Sequence, residues 1–148
     1  MVLQCFLIGH RDAPEELMSF LETSIEQHIL EYGVSVFLVG SHGHFDTMAA
    51  KAVIKAKERY GWLQLYQLLA YHPAERSSVL PKGFDGSYYP EDLQSVPRRF
   101  AISRANRIAI DESDYIISYA IYPGGAKTAV NYAIRRKGSN FVSLLPHP

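Results

Sequence analysis

The segment Tyr122-Pro-Gly-Gly-Ala-Lys-Thr128 carries more chemistry than any other in this chain. It follows a β-branched apolar run at residues 115–121 and leads into a helix-forming stretch at 126–137. A strand that stops at Pro-Gly-Gly and restarts as a helix leaves backbone N–H groups uncovered beside a positive helix end, an arrangement suited to phosphate. Pro123, Gly124 and Gly125 shape that turn. Lys127 adds a cation and Thr128 a hydroxyl donor.

A second turn of the same kind, Gly40-Ser-His-Gly43, ends an earlier apolar run. Gly40 and Gly43 would permit close backbone approach to a phosphate, and Ser41 would donate from its hydroxyl. The alternative is a tight strand-to-helix turn that serves the chain alone. Asp46 falls in the first turn of the following helix. There the macrodipole favours an anion, and the carboxylate could also accept bonds from ribose hydroxyls. A third cluster, Gly9-His-Arg-Asp12, follows the first apolar run. Arg11 could pair with phosphate in fork geometry, or with Asp12 or Glu15 on the surface. His10 could donate to a ligand but lacks an orienting partner that would make it a base. His42 and His44 have no further ligands nearby, so no metal site is expected.

The elements that must position these residues follow from hydrophobic periodicity. Residues 2–8, 34–39, 63–70, 115–121 and 140–145 read as strands. Asp12 and Glu15 form a capping-box pattern with Pro14 in the first helical turn. Leu17, Leu21, Ile25 and Ile29 then recur every four residues, and Gly33 ends that helix. An alanine-rich helix runs from after Gly43 to about Tyr60, and another from Pro97 to about Asp111. Within the latter, Arg107 and Asp111 stand at pairing distance. Residues 72–96 have no period and contain Pro73, Pro81, Gly83, Gly86 and Pro90. So long a connection is expected to be a lid, a binding loop or a mobile segment. Strand and helix alternation implies one α/β Rossmann-like domain over residues 1–148, with a mostly parallel five-stranded sheet and helices on both faces. Ligands of such sheets lie at the carboxyl ends of the strands.

Composition narrows the function class. The 148 residues balance 15 basic against 15 acidic side chains, so no overall field draws in nucleic acid, and no strong nucleic-acid signal is expected. No run reaches the roughly 18 apolar residues of a membrane span. The single cysteine, Cys5, has no internal partner, and the chain shows no leader pattern, so the cytoplasm is the expected compartment.

The Gly-His-Arg cluster, the Gly-x-x-Gly-x-x-Asp of residues 40–46 with Ala49-Ala50 behind it, Arg104-Ala-Asn-Arg107 with Ser113-Asp114-Tyr115, and the Tyr122-Pro-Gly-Gly125 turn together resemble the SLOG superfamily. That group includes the LOG-type nucleoside-monophosphate phosphoribohydrolases and the Smf/DprA proteins. The resemblance implies a Rossmann-like fold that binds nucleotides or nucleotide-derived ligands, with phosphate on the Pro-Gly-Gly turn. The hydrolytic branch is similar to Pro-Gly-Gly-x-Gly-Thr-x-x-Glu. Here Lys127 replaces the last glycine and Asn131 the glutamate. Asparagine supplies neither the charge nor the proton that N-glycosidic hydrolysis uses. The expected function is therefore binding or sensing of a small-molecule nucleotide or nucleoside phosphate, with no further cofactor and with homo-oligomerisation open. The alternative is a nucleoside-monophosphate phosphoribohydrolase or related transferase. Its acid or base would come from Asp46, Asp114 or Glu75.

Overall fold

The computed structural model describes residues 1–75 and 79–144, so Leu145 of the expected last strand and residues 76–78 of the long connection lie outside the described residues. Six strands form one sheet: β1 (Leu3–Gly9), β2 (Val34–Val39), β3 (Gln64–Leu68), β4 (Gly86–Tyr88), β5 (Tyr115–Tyr119) and β6 (Phe141–Ser143). Their order is β4-β3-β2-β1-β5-β6, and every pairing is parallel. Four α-helices accompany them: α1 (Met18–Leu30), α2 (His44–Arg59), α3 (Ala101–Glu112) and α4 (Gly125–Lys137). The architecture is the expected Rossmann-like α/β fold, with one strand more than the periodicity indicates.

Alternation along the strands feeds two cores. Cys5, Leu7, Phe37, Val39 and Ile117 face α1 and α2, meeting Leu21, Ile25, Met48, Ala49 and Val53. Phe6, Ile8, Leu38 and Ile116 face the other way, against Ala105, Ala109, Ile110, Ala129 and Ala133 of α3 and α4. Strands buried on both faces read as continuous apolar runs, which is why β1, β2 and β5 are evident in the sequence. Alanines on the buried helix faces let the helices lie close to the sheet. Cys5 is fully buried, and burial pushes its thiol far above its ordinary range. No helix among the described residues is long and apolar enough to cross a membrane.

Three local expectations are corrected. The capping box does not form: the chain enters a 3-10 turn at Glu15–Leu17 with no side-chain cap, Asp12 accepts from the Tyr122 hydroxyl, and Glu15 pairs with His44 Nε2 at 2.8 Å. Arg107 does not pair with Asp111. Its guanidinium lies over the Tyr132 ring, while Asp111 takes Arg136 Nε at 3.0 Å. The long connection is not a free lid, because it carries β4 and a 3-10 turn at Glu91–Ser95. Asp85 accepts from Leu65 N–H at 2.8 Å and Lys57 Nζ at 2.6 Å, and Leu93 is buried. A three-residue strand is too short to show a period, so composition alone reads as loop.

Candidate functional site

Strand order reverses at β1: β2, β3 and β4 extend to one side, β5 and β6 to the other. The crevice at the carboxyl ends of strands around such a reversal is where open α/β sheets hold ligands. A cavity of about 570 Å³ lies there. The turns after β1, β2 and β5 contribute Gly9, Arg11, Gly40, Asp46, Gly124 and Gly125 to its wall.

The Pro-Gly-Gly turn presents donors to open space. A Cβ on Gly124 or Gly125 would meet nothing within 4 Å, and Gly124 has φ +152°, a conformation that favours glycine. The first helical bond of α4 runs from Thr128 N–H to Gly124 C=O at 3.0 Å. The amides of Gly125, Ala126 and Lys127 therefore have no helical acceptor. Arg135, Arg136 and Lys137 occupy the last turn, so cations complement the negative end while the positive end stays open. The turn is braced from β1. His10 Nε2 accepts from Ile121 N–H at 2.7 Å and Tyr122 N–H at 3.3 Å, which requires the proton on Nδ1. Burial holds the His10 pKa below its ordinary 6.5; Asp12 opposes that effect and Lys127 reinforces it. His10 is thus a neutral acceptor for the turn, not a donor to a ligand.

The turn after β2 is built differently. A Cβ on Gly40 would stand 2.8 Å from Asp46 Oδ2, one on Gly43 2.5 Å from Arg11 Cα, and one on Gly9 2.4 Å from the Phe45 ring. These three glycines admit the chain's own atoms. The amide of His42 is given to Asp46 Oδ2 at 2.9 Å, and that of His44 to the Arg11 carbonyl at 2.8 Å. The tight-turn reading of Gly40 to Gly43 accounts for what is seen, and what this turn adds to the crevice is a carboxylate. Burial pushes Asp46 up to about 6, with the His42 amide working against it. Arg11 is exposed, and its guanidinium has no ion pair or hydrogen bond among the described residues. It is an available cation on the same cavity wall.

Other candidates lie elsewhere. Ser41, Gly43, Pro123, Lys127 and Thr128 border the turns but are outside the cavity lining. Lys127 Nζ reaches back to the Ala120 carbonyl at 3.5 Å, and the Thr128 hydroxyl is given to the Gly124 carbonyl at 3.1 Å. Asp114 precedes β5, at the opposite end of the sheet, and its carboxylate accepts from Gln4 N–H at 2.9 Å. Glu75 pairs with Arg98 at 3.2 Å. Asn131 is exposed on the side of α4 away from buried Ala129, Val130 and Ala133, so it does not look into the crevice. Ile102 of α3 lines it and escapes the motif reading, while Asn106 and Tyr122, quoted above within motifs, line it in a role those motifs do not indicate. The signal for Ile102 and Asn106 is i,i+4 spacing beside the buried Ala101, Ala105 and Ala109 stripe. Among the described residues no group of three or more His, Cys, Asp or Glu could hold a metal ion.

No family model matches this chain, and no curated protein matches it. Among solved structures it is similar to DNA processing protein A from Helicobacter pylori, described for its single-stranded DNA binding mode. The TM-score is 0.65 over 99% of this chain, with 17% sequence identity, and the match spans 66% of that protein's chain. The likeness is one of fold. It agrees with the Rossmann-like fold that the motif resemblance implies. It also corrects the expectation that nothing here points to nucleic acid, since this structural neighbour is a single-stranded DNA binder. That expectation rested on a net charge of zero, and a sum over the whole chain is blind to where cations gather.

Proposed function

We propose that this chain binds nucleotides, taking the phosphate at the start of α4. The observation that carries the reading is the run of amides at Gly125, Ala126 and Lys127. It has no helical acceptor, opens on a cavity with nothing within 4 Å of the two glycine Cβ positions, and shares that cavity with unpaired Arg11. Helix N-terminal amides and a guanidinium are complementary to a phosphate monoester or diester. Asp46, behind Gly40, is on the same wall and available to sugar hydroxyls through the oxygen that His42 does not use.

A second reading, favoured by the likeness to a single-stranded DNA binder, is that the bound nucleotide is one unit of a strand. Exposed Tyr122 and Phe100, with Arg11 and Arg99, would then serve as stacking surfaces and cations along the strand ends. Calorimetric titration with a nucleoside 5′-monophosphate and with a short single-stranded oligonucleotide separates the two. Tight oligonucleotide binding with weak monophosphate binding selects the strand. The reverse selects the free nucleotide, and silence from both ends the proposal. Chromatography of the same mixtures tests the hydrolytic alternative. Release of free base that is lost in Asp46→Asn would make the protein an enzyme.

A further inference from the structure

A second cavity, of about 260 Å³, lies at the carboxyl end of β3, beyond β2 from the crevice. Ala101 lines this cavity and its neighbour Ile102 lines the crevice, so the two spaces adjoin across the first turn of α3. Strands lie about 4.8 Å apart and α4 starts from β5, three strands from β3, so the two sites are about 14 Å apart. A nucleotide extended along the strand ends covers that span once hydrogen-bond reach at its phosphate and stacking distance at its base are added.

The second cavity is lined by rings over a closed apolar floor. Ala70, Leu93 and Ala101, all buried, form the floor. Tyr89 stands on one side, with the His72 ring edge-on to it, the centroids 5.3 Å apart. The Arg98 guanidinium lies 4.6 Å from the centroid of the Tyr71 ring. Arg98 is also paired with Glu75 at 3.2 Å, so its charge is already balanced and the cavity offers no free cation to a second phosphate. The polar groups at its rim suit a neutral ring with donors and acceptors. His72 Nδ1 accepts from Ala74 N–H at 3.0 Å, which leaves Nε2 as a donor, and Glu75 supplies an acceptor.

We infer that this cavity receives the base of the nucleotide whose phosphate sits on α4. The inference rests on the phosphate reading above and adds a base subsite to it. Stacking of a base on an aromatic or guanidinium face is worth about 1–3 kcal/mol, or roughly 5- to 150-fold in affinity.

The test compares ribose 5-phosphate, which reaches only the crevice, with adenosine and cytidine 5′-monophosphates, using wild type, Arg98→Gln and Tyr89→Leu. Circular dichroism confirms that each variant is folded, and the exposed Arg98 site serves if Tyr89→Leu is not. At least one nucleotide should bind about tenfold tighter than ribose 5-phosphate. Either folded variant should remove most of that advantage and leave ribose 5-phosphate binding unchanged. Equal binding of sugar phosphate and nucleotides by the wild type, or an advantage that survives both substitutions, overturns the base subsite while leaving the phosphate site standing. If neither class of ligand binds, the phosphate reading itself has failed and the subsite falls with it.

Discussion

The ring of Tyr122 lies flat on the ring of His10, the centroids 3.7 Å apart and the planes 3° from parallel. The same histidine accepts the Ile121 and Tyr122 amides, and the Tyr122 hydroxyl is held by Asp12. The residues after β1 therefore grip the residues after β5 through a stack and several hydrogen bonds. This grip sets where the open amides of α4 point. The phosphate site proposed at the start of α4 needs its donors fixed beforehand, and a neighbouring strand would fix them.

His10→Ala should accordingly impair ligand binding without removing any ligand contact. It leaves two amides without their acceptor, a loss of about 1–3 kcal/mol in stability. His10→Phe should keep the stack but not the acceptor, and so recover only part of that loss. The wild-type brace should also weaken in acid. The His10 pKa is held below 6.5, so the unfolded chain binds the proton more readily, and this contribution to stability declines as pH falls below 6.5. Urea melts of the three proteins at pH 7.5 and 5.5 measure this. Equal stability of His10→Ala and wild type at pH 7.5 would rule out the brace.

The glycines should divide into two groups on substitution. Gly125→Val places its Cβ where nothing lies within 4 Å, so the ligand-free melting temperature should change little while nucleotide-induced stabilisation disappears. Gly9→Ala puts a Cβ 2.4 Å from the Phe45 ring, which is fully buried. Overpacking of that kind costs about 1–3 kcal/mol, so this variant should melt earlier and, once folded, still bind. Thermal melts with and without ligand check both. Nucleotide stabilisation that persists in Gly125→Val would move the phosphate away from α4.

Asp46 should make the protein's stability depend on pH in a recognisable direction. Its folded pKa, about 6, exceeds the ordinary 3.8, so the native state binds the proton more readily. Between those values this group stabilises the fold as pH falls, and its burden at pH 7 is at most about 3 kcal/mol. His10 and His28, both lowered by burial, act with opposite sign over an overlapping range, so the informative quantity is variant minus wild type. Asp46→Asn retains an oxygen for the His42 amide and carries no charge. It should be more stable than wild type at pH 7, lose most of that advantage by about pH 4.5 and the rest below 3.8. An advantage that is flat across this range would mean that Asp46 ionises as it does in water.

How much of this was legible beforehand depends on what each feature needed. Strands buried on both sides leave long apolar runs, and the α1 stripe repeats every four residues, so β1, β2, β5 and α1 could be read directly. The Pro-Gly-Gly turn and Arg11 could be picked out by residue type, and the fold brings them to one cavity wall. Gly40 and Gly43 look the same in sequence as Gly124 and Gly125, yet a Cβ on either of the first two would strike the chain's own atoms and one on either of the last two would meet nothing within 4 Å. Only the position of Asp46 and Arg11 in space separates them. Ile102 and the rings around the second cavity carry no motif, since they meet through tertiary packing of distant segments. Within the long connection, β4 could not be read because it is three residues long and is held by Asp85, whose partners lie at positions 57 and 65.

Asp85 supplies the remaining prediction. Its carboxylate takes the Lys57 ammonium at 2.6 Å and the Leu65 amide at 2.8 Å, immediately before β4 pairs with β3. Burial raises its pKa, but Lys57 and the Leu65 amide outweigh that and hold it below the ordinary carboxylate range. The sign follows: this stabilisation is present above the unfolded value of 3.8 and is lost as pH falls through the lower folded value. Lys57 also donates to the Gly83 carbonyl at 2.9 Å, so the pair secures both ends of the entry to β4. Asp85→Ala removes the acceptor for both donors and should cost about 1–3 kcal/mol. Because β4 is the sheet's edge, the loss should appear first as local opening. Hydrogen exchange should quicken at residues 85–88, and limited proteolysis should cut sooner between 72 and 96, with β1 and β5 unaffected. A variant that melts globally with no local change would show that Asp85 supports the core and not the edge.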